Sequence, residues 1–129
     1  MDEVFKNCDT VVATVPATKD TIGVINKEKF ELMKKGSVFI NVGRGNIVNE
    51  KDLIMYIKKF RGVVLDVFEN EPLDKESELW KFDNIIITPH NSWVSDKNEE
   101  RTSNMIYDNL KNYIENKPLK NIVDISKGY

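Results

Sequence analysis

Three polar side chains that could take part in chemistry follow short apolar runs of the sequence. The only histidine of the chain, His90, comes directly after IIITP, Arg44 lies between two glycines after FINV, and Asp66 follows VVL with further acidic residues beyond it. An arginine can hold a carboxylate with two parallel hydrogen bonds, and a histidine can give or take a proton near neutral pH. A carboxylate beside an imidazole favours its charged form and fixes its tautomer. This set suits a site that holds an acid substrate and moves a proton at its hydroxyl or carbonyl group.

None of these groups can accept a hydride, so a redox reaction at such a site requires a cofactor. Each residue also has an ordinary structural explanation when it is considered alone. Two glycines can serve a tight turn, the arginine between them can be a solvated cation, and Asp66 can cap a turn. Glu71 precedes a proline and fits a loop surface, and a histidine after a proline is often structural. Their joint position after apolar runs favours a site over coincidence.

The elements that would position these side chains are short runs rich in β-branched residues. The runs predict four buried strands, at residues 10–15, 37–42, 62–68 and 85–89. Their near-continuous apolar character and their alternation with helices predict a mostly parallel, covered sheet. In open α/β sheets, ligands bind outside the carboxyl ends of the strands. Arg44, Asp66 and His90 are therefore expected along one rim.

Three helices are predicted between and after these strands. Asn26 is placed to cap a helix that Gly36 would stop, and Asn49 to cap a helix that Gly62 would close. The third and longest helix is predicted from about residue 94 to 116, with apolar residues on one stripe. The order β-α-β-α-β-β-α places the chain in the α/β class.

Length and composition exclude several classes of protein. The 129 residues suit one domain or a large part of one, and the net charge of −2 gives no electrostatic argument for binding nucleic acid. The single cysteine, Cys8, rules out an intramolecular disulfide framework and a cysteine metal cluster. No apolar run approaches the roughly 20 residues that span a bilayer, and MDEVFKNCD lacks the pattern of a signal peptide. We expect a cytoplasmic protein that binds no membrane, no nucleic acid and no metal.

Four separated segments resemble the D-isomer-specific 2-hydroxyacid dehydrogenases, the family of phosphoglycerate, glyoxylate/hydroxypyruvate and D-lactate dehydrogenases. These segments are TVPATKDTIGVIN, FINVGRGNIVNE, GVVLDVFENEPL and IITPHNSW, in the order and spacing of the family. The resemblance implies the C-terminal part of the NAD-binding domain, a partial Rossmann-like, doubly wound parallel sheet with a long C-terminal helix. It implies an NAD(P)-dependent oxidoreductase that acts on the CH–OH group of a D-2-hydroxy acid or reduces a 2-oxo acid. NAD and NADP both fit, and so does more than one 2-hydroxy acid.

The resemblance also assigns roles to individual residues. The catalytic arginine of the family would be Arg44, which holds the substrate carboxylate. The catalytic glutamate lies five residues beyond the strand-end Asp66, which selects Glu71 and not Glu69. The catalytic histidine would be His90, which protonates the carbonyl oxygen during reduction while Glu71 supports the imidazolium. The cofactor-binding positions would be Thr14, Val15, Pro16, Thr21, Val42, Gly43, Asp66 and Ser92. The glycines of the turn would let the backbone approach the cofactor.

The sequence departs from the family pattern in two places. The G-x-G-x-x-G turn and the separate substrate domain are absent, and Asn91-Ser92-Trp93 stands where the family often has small residues. We therefore expect a C-terminal fragment: residues 1–116 as a partial dinucleotide-binding domain and residues 117–129 as a tail that returns to the missing substrate domain. Such a chain alone would bind NADH poorly and turn over no substrate, because the phosphate site at a helix N-terminus is missing.

Two alternatives to an enzyme fit the same sequence. The first is a non-catalytic chain, either a truncated remnant or a binding module that depends on a partner for its missing strands. An unrelated small α/β binding domain whose motifs match by chance is disfavoured by four motifs in order. A homodimeric full-length parent fits the family, but the region used for dimerisation there is absent.

Overall fold

The computed structural model describes residues 1–127 and contains a parallel four-stranded sheet within residues 1–92. Its strands are β1 (Thr10–Ala13), β2 (Val38–Asn41), β3 (Gly62–Leu65) and β4 (Ile85–Ile87), arranged in chain order. The register places Val11 beside Phe39, Phe39 beside Val63 and Val63 beside Ile85. The predicted α/β class and parallel sheet are confirmed. The strands are shorter than predicted, because the residues after Ala13, Asn41 and Leu65 turn away to form loops at the rim.

The helices are α1 (Asp2–Asn7), α2 (Lys27–Leu32), α3 (Glu50–Tyr56) and α4 (Asn98–Ile114). Short 3-10 turns lie at Gly45–Ile47, Ile57–Lys59 and Glu78–Lys81. Both predicted N-caps are confirmed, since the side chain of Asn26 accepts from the Glu28 N–H and that of Asn49 from the Asp52 N–H.

Three helix boundaries differ from their predictions. Gly36 lies beyond the end of α2, in a turn where its φ of 79° needs a glycine. Gly62 does not close α3 but begins β3, and the helical segment ends at Lys59. The long helix starts at Asn98, four residues later than the stripe of apolar residues predicted.

The core lies between the sheet and the first three helices. Phe5 of α1, Phe30 of α2 and Leu53 of α3 pack with the strand residues Phe39 and Val63 in one buried cluster. The rings of Phe30 and Phe39 meet edge to face at 5.3 Å, a favoured aromatic geometry. The sheet is less evenly buried than its apolar sequence predicts. Buried and less buried residues alternate along the strands, and Val12 and Ile86 are 51% and 62% exposed.

The chain divides into two compact units, Met1–Ser92 and Trp93–Tyr129. The described part of the second unit consists of residues 93–97, α4 and the segment after it. The Asn109 side chain of α4 forms two hydrogen bonds with the backbone of Lys120 in that segment. Within residues 1–127, α4 contributes no buried side chain. The predicted tail ends at Gly128 and Tyr129, which lie outside the described residues, and the predicted domain boundary at residue 116 stays a prediction. Among the described residues, no helix has the length and apolar character needed to cross a lipid bilayer.

Candidate active site

The turn after β2 is built by a buried asparagine at the end of that strand. The Asn41 side chain accepts a hydrogen bond from the Gly43 N–H at 3.1 Å and donates one to the Arg44 carbonyl oxygen at 3.0 Å. The Arg44 side chain is anchored through Nη1, which donates to the Gly43 carbonyl oxygen at 2.8 Å. Asn41 therefore shapes the loop that presents the arginine. This role of Asn41 was not predicted from the sequence, although an amide with both a donor and an acceptor at a strand end could have indicated it.

The two glycines of this turn are required by neighbouring backbone. A Cβ on Gly43 would lie 2.9 Å from the Val15 carbonyl oxygen and 3.2 Å from the Thr14 carbonyl carbon. The close approach brings together three of the predicted cofactor residues, Thr14, Val15 and Gly43. A Cβ on Gly45 would lie 1.8 Å from the Phe68 carbonyl oxygen, where no side chain can fit. The glycines thus allow the exits of β1, β2 and β3 to converge.

The loop after β1 contains the other predicted cofactor residues of this region. The Thr21 hydroxyl donates to the Pro16 carbonyl oxygen at 2.6 Å and accepts from the Thr18 N–H at 2.7 Å. Thr21 therefore closes this loop on itself. Thr14 and Pro16 are exposed beside it, and Val15 and Val42 are partly buried.

A carboxylate and the single imidazole of the chain meet at the carboxyl ends of β3 and β4. Glu71 Oε2 lies 2.7 Å from His90 Nδ1, and Glu71 Oε1 accepts from the Phe68 N–H at 3.0 Å. The two side chains are 34% and 42% exposed, so this pair is open at the rim. Burial alone would raise the pKa of Glu71, but the hydrogen bond from Phe68 and the bond and charge of His90 lower it below its ordinary value. Such a carboxylate can hold a proton on Nδ1 and so leave Nε2 to exchange a proton with a substrate.

The neighbouring Glu69 has a different set of contacts. Its carboxylate accepts from the Glu50 N–H at 2.8 Å, and the Glu50 carboxylate accepts from the Glu69 N–H at 2.6 Å. Burial and the charge of Glu69 raise the pKa of Glu50, although the hydrogen bond from the Glu69 N–H opposes this. Glu69 thus ties the loop to the start of α3 while Glu71 contacts the imidazole.

Replacing Glu71 by glutamine is expected to lower the free energy of unfolding through the loss of its contact with His90. The carboxylate lies 2.7 Å from Nδ1, and the bond and charge of His90 are among the contacts that lower the pKa of Glu71. A double-mutant cycle of Glu71→Gln and His90→Asn, measured by urea titration, isolates this coupling. Glu69→Gln, which changes a glutamate two residues away, is the matched control and should show no coupling to His90→Asn. An absent coupling between Glu71→Gln and His90→Asn would reject Glu71 as the partner of the imidazole.

Asp66 is buried just after β3 and binds the segment that carries the imidazole. Asp66 Oδ1 accepts from the Asn91 N–H at 3.0 Å and from the Thr88 hydroxyl, and Oδ2 accepts from the Ser92 N–H at 3.0 Å. Burial would raise the pKa of Asp66, but the hydrogen bonds from Thr88, Ser92 and Asn91 together lower it to about 2. The carboxylate is therefore ionised across the physiological range. Its hydrogen bond from the Ser92 N–H brings two of the predicted cofactor-binding residues, Asp66 and Ser92, into contact.

The depressed pKa of Asp66 predicts a loss of stability in acid. Since the folded pKa lies below the ordinary 3.8, the stabilisation by this carboxylate is present above about pH 5 and is lost as pH falls toward 2. Asp66→Asn should lower the urea midpoint most at pH 7, and its difference from the wild type should narrow between pH 5 and pH 2. Urea titrations of both proteins by circular dichroism measure this. A difference that stays constant over that range would show that Asp66 does not carry the acid dependence.

A cavity of about 550 Å³ adjoins the Glu71–His90 pair. Apart from these two residues and Thr88, its lining is apolar, consisting of Phe68, Pro72, Leu73, Trp80, Ile87 and Pro89. This apolar flank lowers the local dielectric on one side of the pair, while both side chains remain partly exposed to water. This wall was not predicted from the sequence, because its residues come from three separate segments: the loop after β3, the 3-10 turn Glu78–Lys81 and the end of β4.

Comparisons with known proteins agree on one family. Residues 1–92 match the sequence model described as the NAD binding domain of D-isomer specific 2-hydroxyacid dehydrogenase. The chain is 38% identical over 112 residues to glyoxylate reductase of Pyrococcus furiosus, which covers 85% of this chain and 33% of the relative. It is 35% identical over 126 residues to D-3-phosphoglycerate dehydrogenase of Archaeoglobus fulgidus, which covers 96% of this chain and 24% of the relative. The chain thus spans about a third or less of these two relatives.

Solved structures lead to the same assignment. The D-isomer specific 2-hydroxyacid dehydrogenase of Xanthobacter autotrophicus Py2, in complex with NADPH and MES, matches 99% of this chain and 53% of its own with a TM-score of 0.90 and 33% identity. The NADPH-dependent glyoxylate/hydroxypyruvate reductase of Sinorhizobium meliloti, in complex with NADP and sulfate, matches 99% of this chain and 42% of its own with a TM-score of 0.88 and 32% identity. Sequence and fold together place the chain in the D-isomer specific 2-hydroxyacid dehydrogenase family.

Proposed function

We propose that this chain forms the catalytic rim of an NAD(P)-dependent oxidoreductase that interconverts a 2-oxo acid and its D-2-hydroxy acid. The observation that carries this proposal is the 2.7 Å contact between Glu71 and His90 at the end of a parallel sheet. A positioned imidazole with a carboxylate on Nδ1 is suited to general acid–base catalysis at its other nitrogen. Arg44, presented by the neighbouring turn, supplies the cation that a carboxylate substrate needs.

The roles of the three side chains follow from their chemistry. Arg44 binds the carboxylate of the 2-oxo acid and orients its carbonyl group. His90 donates a proton to the carbonyl oxygen during reduction, and it removes the proton from the hydroxyl group in the reverse direction. Glu71 stabilises the imidazolium and holds the tautomer. The hydride that reaches the carbonyl carbon comes from a bound nicotinamide.

The residues at the ends of β1 and β2 fit the nicotinamide half of such a cofactor. Thr14 and Pro16 are exposed where the backbone after β1 passes Gly43. Because Gly43 has no side chain, the two backbone segments lie in close contact there. Val42, Ser92 and the carbonyl groups of these segments offer apolar and polar contacts of the type that a nicotinamide riboside requires. Residues 1–9 contain no glycine, so these residues supply no G-x-G-x-x-G turn to hold a pyrophosphate. We therefore propose that the 129-residue chain alone binds NADH and NADPH weakly and has no measurable turnover.

An assay of two polypeptides tests the proposed function. Glyoxylate and hydroxypyruvate, the substrates in the names of the two reductases above, are offered with NADH or NADPH to the 129-residue chain and to the longest polypeptide that its reading frame encodes. We expect oxidation of the reduced cofactor, dependent on the 2-oxo acid, by the longer polypeptide and not by the short chain. Cofactor binding without oxidation by any 2-oxo acid would contradict the proposed reaction, and turnover by the short chain would contradict its proposed inactivity.

A binding module that acts with a partner is a second candidate. The exposed apolar side chains of α4 favour it, since Leu110, Tyr113 and Ile114 are 58%, 74% and 78% exposed. Size-exclusion chromatography with light scattering distinguishes the candidates. A compact monomer of the 129-residue chain counts against partner dependence, whereas a dimer that Tyr113→Lys dissociates would support an interface and the homodimeric parent.

A further inference from the structure

The imidazole lies on a residue with an unusual backbone conformation. His90 has a φ of 51°, in the left-handed region that residues with a Cβ adopt uncommonly. Such residues persist where neighbouring contacts determine the backbone, often at functional sites. The contacts that determine it here should therefore decide where the ring points.

Those contacts converge on one residue of the adjacent strand end. The Asp66 carbonyl oxygen accepts from the His90 N–H at 2.8 Å, and its carboxylate accepts from Thr88, Asn91 and Ser92. Asp66 is only 1% exposed, so water does not compete for these bonds. One residue thus binds positions before, at and after the imidazole. We call residues 88–92 the histidine segment.

Glu71, the carboxylate in contact with the imidazole, is positioned from the same strand end. Glu71 is held by the N–H of Phe68, two residues beyond Asp66. The backbone of Asp66 therefore leads into the loop that carries Glu71, while its side chain holds the histidine segment. A substitution at Asp66 would therefore alter the distance between the Glu71 carboxylate and the imidazole without changing either of those two side chains.

We propose that Asp66 is a positioning residue that fixes the left-handed backbone at His90 and thereby sets the contact between Glu71 and the imidazole. Its role in the reaction rests on the proposed function, but the positioning itself does not. Positioning is a second role for Asp66, which the resemblance assigned only to cofactor binding, and both of its carboxylate oxygens accept hydrogen bonds from the histidine segment.

Two double-mutant cycles test the proposal. The coupling free energy between Glu71→Gln and His90→Asn is measured by urea titration in the wild-type background and in the Asp66→Asn background. Removing the Asp66 charge changes the stability of every variant, but each cycle isolates the coupling between Glu71 and His90. We expect the coupling in the Asp66→Asn background to fall below about half of its wild-type size. Couplings of equal size in both backgrounds would overturn the proposal.

Two variants at Thr88 control for misfolding and for the change in charge that Asp66→Asn introduces. Thr88→Val removes the hydroxyl bond to Asp66 with little change in shape, and Thr88→Ser keeps the hydroxyl. Neither changes the charge of the site. We expect Thr88→Val to weaken the coupling between Glu71 and His90 and Thr88→Ser to preserve it. If threonine, valine and serine at position 88 give the same coupling, Asp66 stabilises the fold only and the proposal fails. These readouts need no turnover, so their outcome is independent of the proposed reaction.

Discussion

Gly45→Ala should unfold at far lower urea than the wild type, the largest stability change that we expect from one methyl group in this chain. The added Cβ would lie 1.8 Å from the Phe68 carbonyl oxygen and 1.9 Å from its carbonyl carbon. Both are backbone atoms, so no rotamer change relieves the overlap, and the turn after β2 must separate from the loop after β3. We expect a loss of about 3–5 kcal/mol in the free energy of unfolding. Urea titration by circular dichroism measures it.

Gly62→Ala is the matched control for this prediction. At Gly62 the nearest atom to an added Cβ is the Asn84 carbonyl oxygen, 3.9 Å away, an ordinary contact distance. A change within about 0.5 kcal/mol is expected there, as for substitutions away from special features. If Gly45→Ala and Gly62→Ala unfold at the same urea concentration, the two loops do not approach as closely as described.

His90→Asn should abolish nearly all turnover in the polypeptide that shows the proposed activity. Asparagine keeps a polar side chain and tolerates a positive φ, so the left-handed backbone at this position need not change. It cannot give or take a proton near neutral pH. General acid–base catalysis by one group contributes roughly 10²- to 10⁴-fold, and we expect kcat to fall by that factor with little change in substrate binding. Steady-state kinetics with a 2-oxo acid measure both.

Arg44→Ala provides the contrast. Loss of the guanidinium removes the cation that binds the substrate carboxylate, so KM should rise as kcat falls. Together the two variants separate a proton donor from a binding group. A His90→Asn variant that keeps wild-type kcat would exclude the imidazole as the acid, and an Arg44→Ala variant with unchanged KM would exclude the arginine as the binding group.

Local sequence signals predicted the framework of this chain because they depend on few neighbours. The two helix caps, Asn26 and Asn49, act on the N–H groups two and three residues ahead. The parallel order of the strands followed from their apolar runs and the helices between them. Boundaries were less predictable: Gly62 reads as a helix stop in the sequence, but pairing with Val38 makes it the first residue of β3.

The contacts of the candidate site could be predicted only in part. The resemblance to the family selected Glu71 over Glu69, and the structure brings Glu71 to the imidazole and takes Glu69 to α3. The catalytic and cofactor-binding roles themselves stay predictions. The parts played by Asn41 and Thr88 were not predicted, because each depends on a hydrogen bond whose partner is set by the path of a turn or of another strand. The close approach of two backbone segments, as at Gly45, is marked in the sequence only by a glycine, which does not identify the segment that it contacts.

The strand order of the sheet has a consequence for synthesis on the ribosome. Each strand lies beside the strand that precedes it in the chain, from β1 to β4. No strand must be inserted between two that are already paired, so the sheet can grow by addition at one edge as the chain emerges. Domains that form in this way need not wait for their C-terminal residues before burying a core. The Glu71–His90 pair would form last, because its imidazole arrives with β4.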